Sequence, residues 1–142
     1  AREIANLRRK GEPLSLCLLD LDNFKKINDR LGHQVGDSAL IHLVEVTRRF
    51  MRAADTLARY GGEEFVILMP DTDQENGIEV IRRLQRELTR NFFLANNEKI
   101  LITFSAGVVQ LAEEESGEAA IYRADQAMYL AKRAGKNRVV GG

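Results

Sequence analysis

Residues 14–19 read Leu-Ser-Leu-Cys-Leu-Leu, a nearly continuous apolar run that stops at two carboxylates, Asp20 and Asp22. Apolar side chains at successive positions leave neither face for water, so the run is expected to be a central strand buried on both faces. Helices must then cover it, and three patterns at helical spacing are available. Residues 37–52 carry Leu40, Leu43, Val44, Thr47, Phe50 and Met51 on one stripe, with Asp37 as the expected N-cap after a loop at 32–36. Residues 75–93 turn Ile78, Ile81, Leu84, Leu88 and Phe92 inward and Arg82, Arg83, Arg86 and Arg90 outward. Residues 118–133 bury Ile121, Ala124, Ala127, Met128 and Ala131, with Gly135 placed to cap the helix. Residues 56–60 and 64–69 read as a β-hairpin about Gly61-Gly62, residues 100–109 as a long strand after a turn at Asn96-Asn97, and 139–140 as a short last strand. The order predicts an α+β fold with one mostly antiparallel central sheet flanked by helices.

Length and composition bound the rest. The 142 residues, 44% hydrophobic, suit a single domain over 1–142. Residues 1–12, stopped by Pro13, read as the end of an N-terminal helix cut from a longer multidomain protein. The longest apolar stretch falls well short of the roughly 18 residues of a membrane helix. Lys+Arg and Asp+Glu balance at 21 each, which removes the global field that draws DNA, so any polyanion needs a local site. The lone cysteine, Cys17, lies inside the apolar run and reads as a buried reduced thiol. A cytoplasmic location is expected, with membrane anchoring of the parent protein left open.

The chemistry starts from acids. Asp20 and Asp22, two apart at a strand end, project to one face, and the hairpin tip Gly61-Gly62-Glu63-Glu64 can lie beside them. The glycines are expected to take positive φ and to leave bare backbone for a ligand, and Glu63 and Glu64 to face apart. Charged residues at a strand end are ordinarily just solvated. Gathered from distant sequence, however, these carboxylates repel unless a cation sits among them, and Mg²⁺ with substrate phosphates suits the set, Mn²⁺ being the alternative. That chemistry points to phosphoryl or nucleotidyl transfer. There is no Walker loop and no G-x-G-x-x-G, so Lys25, Lys132 and Lys136 are the candidate phosphate clamps, although single lysines are usually surface groups.

The spaced set, Asp20-Leu21-Asp22-Asn23-Phe24-Lys25-Lys26-Ile27-Asn28-Asp29, Gly32-His33-Gln34-Val35-Gly36-Asp37 and Arg59-Tyr60-Gly61-Gly62-Glu63-Glu64-Phe65, strongly resembles the diguanylate cyclase catalytic domain of the GGDEF family. Arg123 to Tyr129, Lys132 and Gly135-Lys136-Asn137 extend the likeness, which runs from about Pro13 to Val140. The resemblance implies a fold like the nucleotidyl cyclases and the polymerase palm, with a ferredoxin-like core. It implies condensation of two GTP into cyclic di-GMP by a homodimer, each subunit holding one GTP, under an upstream sensor domain.

Residue by residue, the resemblance implies metal ligation by Asp20, the Leu21 carbonyl, Glu63 and Glu64, with Glu63 weighed as a ligand before a base. The amides of Asn23 and Phe24, with Lys25, Lys132 and Lys136, would hold phosphates. Arginine is common in the family at the place of Lys136, so the clamp here is less bidentate. Asn28 and Asp37 would read guanine, His33 would lie near the nucleotide, and Gly61 and Gly62 would floor the site. Arg52-Ala53-Ala54-Asp55 reads by itself as a surface ion pair, yet its spacing matches the family's RxxD inhibitory site for cyclic di-GMP, with Arg83 as a third contact. The rival reading is an idle cyclic di-GMP receptor using Arg52 and Asp55. The family also has an Asp-x-Leu-Thr segment ahead of the first helix, and this sequence begins after it.

Overall fold

The computed structural model describes residues 11–142, so the helix expected before Pro13 lies outside the described residues apart from its last two positions. Among the described residues eleven elements follow one another: β1 (Leu14–Leu21), α1 (Phe24–Leu31), α2 (His33–Phe50), β2 (Thr56–Arg59), β3 (Glu64–Pro70), α3 (Gln74–Arg90), β4 (Phe93–Ala95), β5 (Glu98–Ile100), β6 (Phe104–Gln110), α4 (Gly117–Arg133) and β7 (Arg138–Gly141). Five strands form the main sheet in the order β2-β3-β1-β6-β7. Only the β6–β7 pair is parallel. The mostly antiparallel α+β architecture expected from the sequence is thus the one observed.

The apolar run sits at the centre, as its composition demands. Every residue of β1 is buried, and its odd and even positions feed different cores. Cys17, Leu19 and Leu21 pack with Ala39, Leu43, Ile81, Leu84 and Phe104 under α2 and α3. Leu14, Leu16 and Leu18 pack with Val66, Val109, Ala120, Ala124 and Met128 under α4. The α4 side is thin because its helix presents alanines, and it lies very close at Gly107. A Cβ built on Gly107 would stand 2.1 Å from the Ala124 carbonyl oxygen and 2.7 Å from the Met128 nitrogen.

The helix ends obey local chemistry. Asp73 caps α3 by accepting from the Asn76 amide at 2.9 Å, and Ser116 caps α4 by accepting from Ala119 at 3.1 Å. At the other end of α4 the Gly135 amide reaches the Lys132 carbonyl and the Lys136 amide reaches Ala131, with Gly135 at φ 122°. This is a Schellman ending, and it confirms the expected role of Gly135. No helix among the described residues is long and apolar enough to cross a membrane.

Three expectations give way. Residues 24–31 form a helix, and α2 begins at His33, so 32–36 is no loop and Asp37 lies inside α2 instead of capping it. A single residue makes the break, Gly32 at φ 95°. Gly36 is needed for contact, since a Cβ there would lie 1.8 Å from Asn28 Oδ1. The long strand expected over 100–109 starts only at Phe104, because Asn96 and Asn97, at φ 54° and 63°, turn a separate β4–β5 hairpin. Two successive left-handed residues match the right-handed twist of such a ribbon. Phe92 falls beyond the end of α3 and is 45% exposed, with the Lys99 ammonium over its ring, so it does not face inward.

Two measurements check this packing. Gly107→Ala is expected to destabilise the fold by about 3 kcal/mol in urea titration, whereas Gly62→Ala, with open space around it, changes stability by less than about 0.5 kcal/mol. Equal midpoints for the two variants would refute the close approach of α4. Burial pushes the Cys17 thiol far above its ordinary value. An unfolded thiol ionises near pH 8.5, so at that pH iodoacetamide should modify the urea-unfolded chain and leave the native one unlabelled for hours.

Candidate active site

The antiparallel pairing of β1 with β3 makes Asp20 and Glu64 direct partners, which sets the end of the central strand against the hairpin tip. The Leu21 amide donates to the Glu63 carbonyl at 3.2 Å and holds the tip there. Two turns of α4 beyond Ala124, Lys132 reaches down and its ammonium contacts Asp20 Oδ2. The other oxygen, Oδ1, is buried without a hydrogen-bond partner. Burial raises the Asp20 carboxyl above the ordinary carboxylate range, and Asp22 and Asp125 add to it. The contact with Lys132 pulls the other way without cancelling it.

Glu63 and Glu64 belong to the same field. Burial and then the charge of Asp20 push both carboxyls upward, and Asp125 acts on Glu64 as well. Glu63 lies in the turn before β3 and Glu64 is the first residue of that strand, and the charge of Asp20 reaches both carboxyls. Neither Gly61 nor Gly62 has positive φ. Gly61 serves by its missing side chain, since a Cβ there would stand 2.7 Å from Glu64 Oε1. The tip is closed by the Tyr60 and Gly61 amides, which both donate to the Glu64 carbonyl, and by the Arg59 guanidinium, which donates to the Gly61 and Gly62 carbonyls.

The donor set fits a hard divalent cation in its chemistry: carboxylates only, costly to ionise together, with one buried oxygen left over. Among the described residues, no three such groups already surround one point. Lys132 instead supplies the positive charge nearest Asp20.

Next to this cluster, Asn23 takes φ 59° and opens α1, so the first amides there, those of Asn23, Phe24 and Lys25, are free of intrahelical partners. Lys136 donates to Asn23 Oδ1 at 2.9 Å, which brings the two proposed phosphate groups together, whereas Lys25 is exposed on the first turn of α1. Asn28 lies one turn on, with its Oδ1 buried, unpartnered and against Gly36. His33 and Asp37 stand four apart on the first turns of α2, both exposed. Asn28 thus sits across the α1–α2 junction against Gly36, the residue that precedes Asp37.

Arg52, Asp55 and Arg83 form a separate place. They line one groove of about 260 Å³ with Asp71, Thr72 and Asn76. Asp55 accepts from the Arg52 amide at 2.9 Å and from its guanidinium at 2.9 Å, and its side chain is only 4% exposed. The bond with Asp55 lifts the Arg52 guanidinium further above its ordinary value. Arg52 also donates to the Pro70 carbonyl and to Thr72 Oγ1, so it is anchored and yet half exposed. This is more than the loose surface pair that the spacing alone suggests.

Several neighbours carried no role in the sequence reading. Glu64 shares a groove of about 410 Å³ with Tyr60, Tyr122, Glu118 and Asp125. Asp125 was within reach of inspection, since it precedes Lys132 by seven residues and so shares its helix face. Tyr60 and Tyr122 gave no such signal.

Comparison with known proteins agrees with this geometry. Residues 1–138 match the family described as diguanylate cyclase, GGDEF domain. Diguanylate cyclase DgcP of Pseudomonas aeruginosa is 44% identical over 138 residues, which is 97% of this chain but 21% of that protein, so the chain spans about a fifth of its length. The GGDEF domain of DgcB from Caulobacter crescentus, solved with c-di-GMP, superposes with a TM-score of 0.91 at 34% identity, covering 99% of this chain and 84% of that one. The active GGEEF domain of a diguanylate cyclase from Vibrio cholerae gives 0.85 at 35% identity, covering 99% and 94%. With an acid pair at a Gly-Gly hairpin set on the end of a buried strand, and with a family match over nearly all its length, this chain belongs to the GGDEF domain family.

Proposed function

We propose that the chain is the catalytic domain of a diguanylate cyclase, binding one GTP with Mg²⁺ and working in the cytoplasm as a face-to-face dimer. The observation that carries this reading is the unpartnered, buried Oδ1 of Asp20 beside Glu63 and Glu64, three carboxyls whose ionisation burial and mutual repulsion oppose. Asp20, the Leu21 carbonyl, Glu63 and Glu64 would hold the cation, or Mn²⁺ in its place. When bound, the metal would neutralise the triphosphate and favour ionisation of the attacking hydroxyl.

The chain's own groups do the remaining work. Lys132, once drawn from Asp20, joins Lys136, Lys25 and the first amides of α1 around the phosphates. Asn28, with its spare buried acceptor, and the exposed carboxylate of Asp37 read the guanine N1–H and exocyclic amine, a donor pair adenine lacks. His33 borders the base. Gly61 and Gly62 leave bare backbone beneath the nucleotide. In each of two steps a ribose 3′-oxygen bonds to the α-phosphorus of the opposite GTP, the bond to pyrophosphate breaks, and the hydroxyl proton leaves to solvent or to a hairpin carboxylate. One subunit presents only one half of the reactants, so turnover follows association, under whatever sensor domain accompanies the chain in its parent protein. DgcP and the Vibrio cholerae GGEEF protein, both named as diguanylate cyclases, support the assignment.

The groove of Arg52, Asp55 and Arg83 suits cyclic di-GMP as a product inhibitor: two guanidinium groups for phosphate or the guanine acceptor edge, and a carboxylate that holds Arg52 in place and takes the donor edge only by loosening those bonds. An idle receptor would need this groove alone. The intact acid cluster favours the enzyme.

Two experiments test the proposal. Incubation of the concentrated domain, and of a version fused to a dimerising coiled coil, with GTP and Mg²⁺ should yield cyclic di-GMP by chromatography, and Asp20→Asn should lower the rate by at least about a hundredfold. No product from either form would sink the enzyme reading. Arg52→Ala should weaken cyclic di-GMP binding by at least about tenfold and relieve inhibition by added product, and unaltered binding in calorimetry would remove the inhibitory groove.

A further inference from the structure

Resting on the phosphate site just proposed, we infer that Asp22 is its positioning residue, holding Lys136 and Asn23 in register, and not a second metal-binding acid. Asp20 and Asp22 look equivalent in sequence, and their hydrogen bonding separates them. Asp20 keeps one oxygen unpartnered. Asp22, 5% exposed, spends both: Oδ1 accepts from Ser105 Oγ at 2.7 Å, and Oδ2 accepts from Thr103 Oγ1 at 2.8 Å and from the Asn137 amide at 2.9 Å. A carboxylate so saturated has little left for a cation.

The bond to Asn137 is the informative one. Gly135, Lys136 and Asn137 take φ of 122°, 65° and 48° in succession, a left-handed run that side-chain-bearing residues rarely hold unaided. Asp22 fixes the amide at the end of that run with a charge-assisted bond, while Gln85 of α3 donates to the Asn137 carbonyl and to its Oδ1. Between the end of α4 and the pinned Asn137, Lys136 projects to Asn23, the residue that follows Asp22 and that itself sits at φ 59°. A closed ring results: Asp22 to Asn137, along the chain to Lys136, across to Asn23, and back along the chain. It joins the end of β1 to the corner between α4 and β7. Its effect is to set an ammonium beside the unsatisfied first amides of α1, the two kinds of group a terminal phosphate needs. Asp22 thus acts on phosphate through Lys136 and touches none itself.

The test compares GTP with GMP, which share the base and differ in the phosphates that Lys136 would meet. By calorimetry with Mg²⁺, the wild-type domain should bind GTP more tightly than GMP. Asp22→Asn, which takes the negative charge out of the bond to the Asn137 amide and leaves one acceptor oxygen where the carboxylate had two, should weaken GTP by about tenfold and GMP by less than about twofold. Lys136→Ala should show the same selective loss, and the double variant no further one, because both changes break a single ring. Should Asp22→Asn fail to fold, Ser105→Ala loosens the same carboxylate and should give about a threefold selective loss. Equal losses for both nucleotides, additive losses in the double variant, or full GTP affinity in either variant would overturn the role of Asp22. A wild type without preference for GTP over GMP would instead overturn the phosphate site, and this inference with it.

Discussion

The site depends on how closely α4 lies on the sheet. At Gly107 the backbone of the helix occupies the space a side chain would need, with the Ala124 oxygen 2.1 Å from any added Cβ. Alanines at 120, 124, 127 and 131 are fully or almost fully buried along the same face, so small residues on the helix meet a glycine in the strand. Gly107 pairs with Leu18, and Asp20 pairs with Ser105 two residues further along. Eight residues of α4 past Ala124 advance roughly 12 Å and bring Lys132 over that carboxylate. A bulkier seam would lift the helix and carry the ammonium away from Asp20. The Schellman ending then reverses the chain at once, which is why Lys136 falls beside Asn23 instead of in solvent.

Given that frame, the acid cluster is the place where the fold works against itself. A buried strand end would be most stable with an apolar residue, and Asp20 at 7% exposure is opposed by its own desolvation. The register adds Glu64 directly opposite, and the turn adds Glu63. One ammonium cannot satisfy three carboxylates. Conflicts of this kind between local chemistry and stability are expected at functional sites, and the rest of β1, apolar and buried throughout, supplies the compensating stability.

The sequence made the frame legible wherever one period dominated. β1, α3 and α4 could be read from apolar spacing alone, and the hairpin from Gly-Gly between two strand-like runs. What escaped depended on contacts between distant residues. Residues 24–31 hold Phe24, Ile27 and Leu31 on one face, but eight residues carry too little pattern to declare a helix before the core they pack on is known. Gly36 looked like a loop residue because glycine is a helix breaker, whereas here it makes room for Asn28. Gly61 and Gly62 invited a positive-φ reading for the same reason, and contact with Glu64 explains the first of them better. The difference between Asp20 and Asp22 was invisible, since it is decided by Thr103, Ser105 and Asn137, each more than eighty residues away.

The two candidate sites lie at opposite ends of one strand. β3 begins at Glu64 in the acid cluster and ends at Pro70, whose carbonyl accepts from Arg52. Six residues of strand separate them by about 20 Å. Phe65 to Met69 are buried between two cores, and Phe65 to Leu68 are paired on both sides, with β1 and with β2, so β3 is a stiff link between Arg52 and Glu64. Asp55 is equally fixed by the bonds it makes to Arg52. On the proposed reading, a product bound there would restrain catalysis from outside the domain, by limiting how two subunits approach, because a strand held on both sides resists distortion.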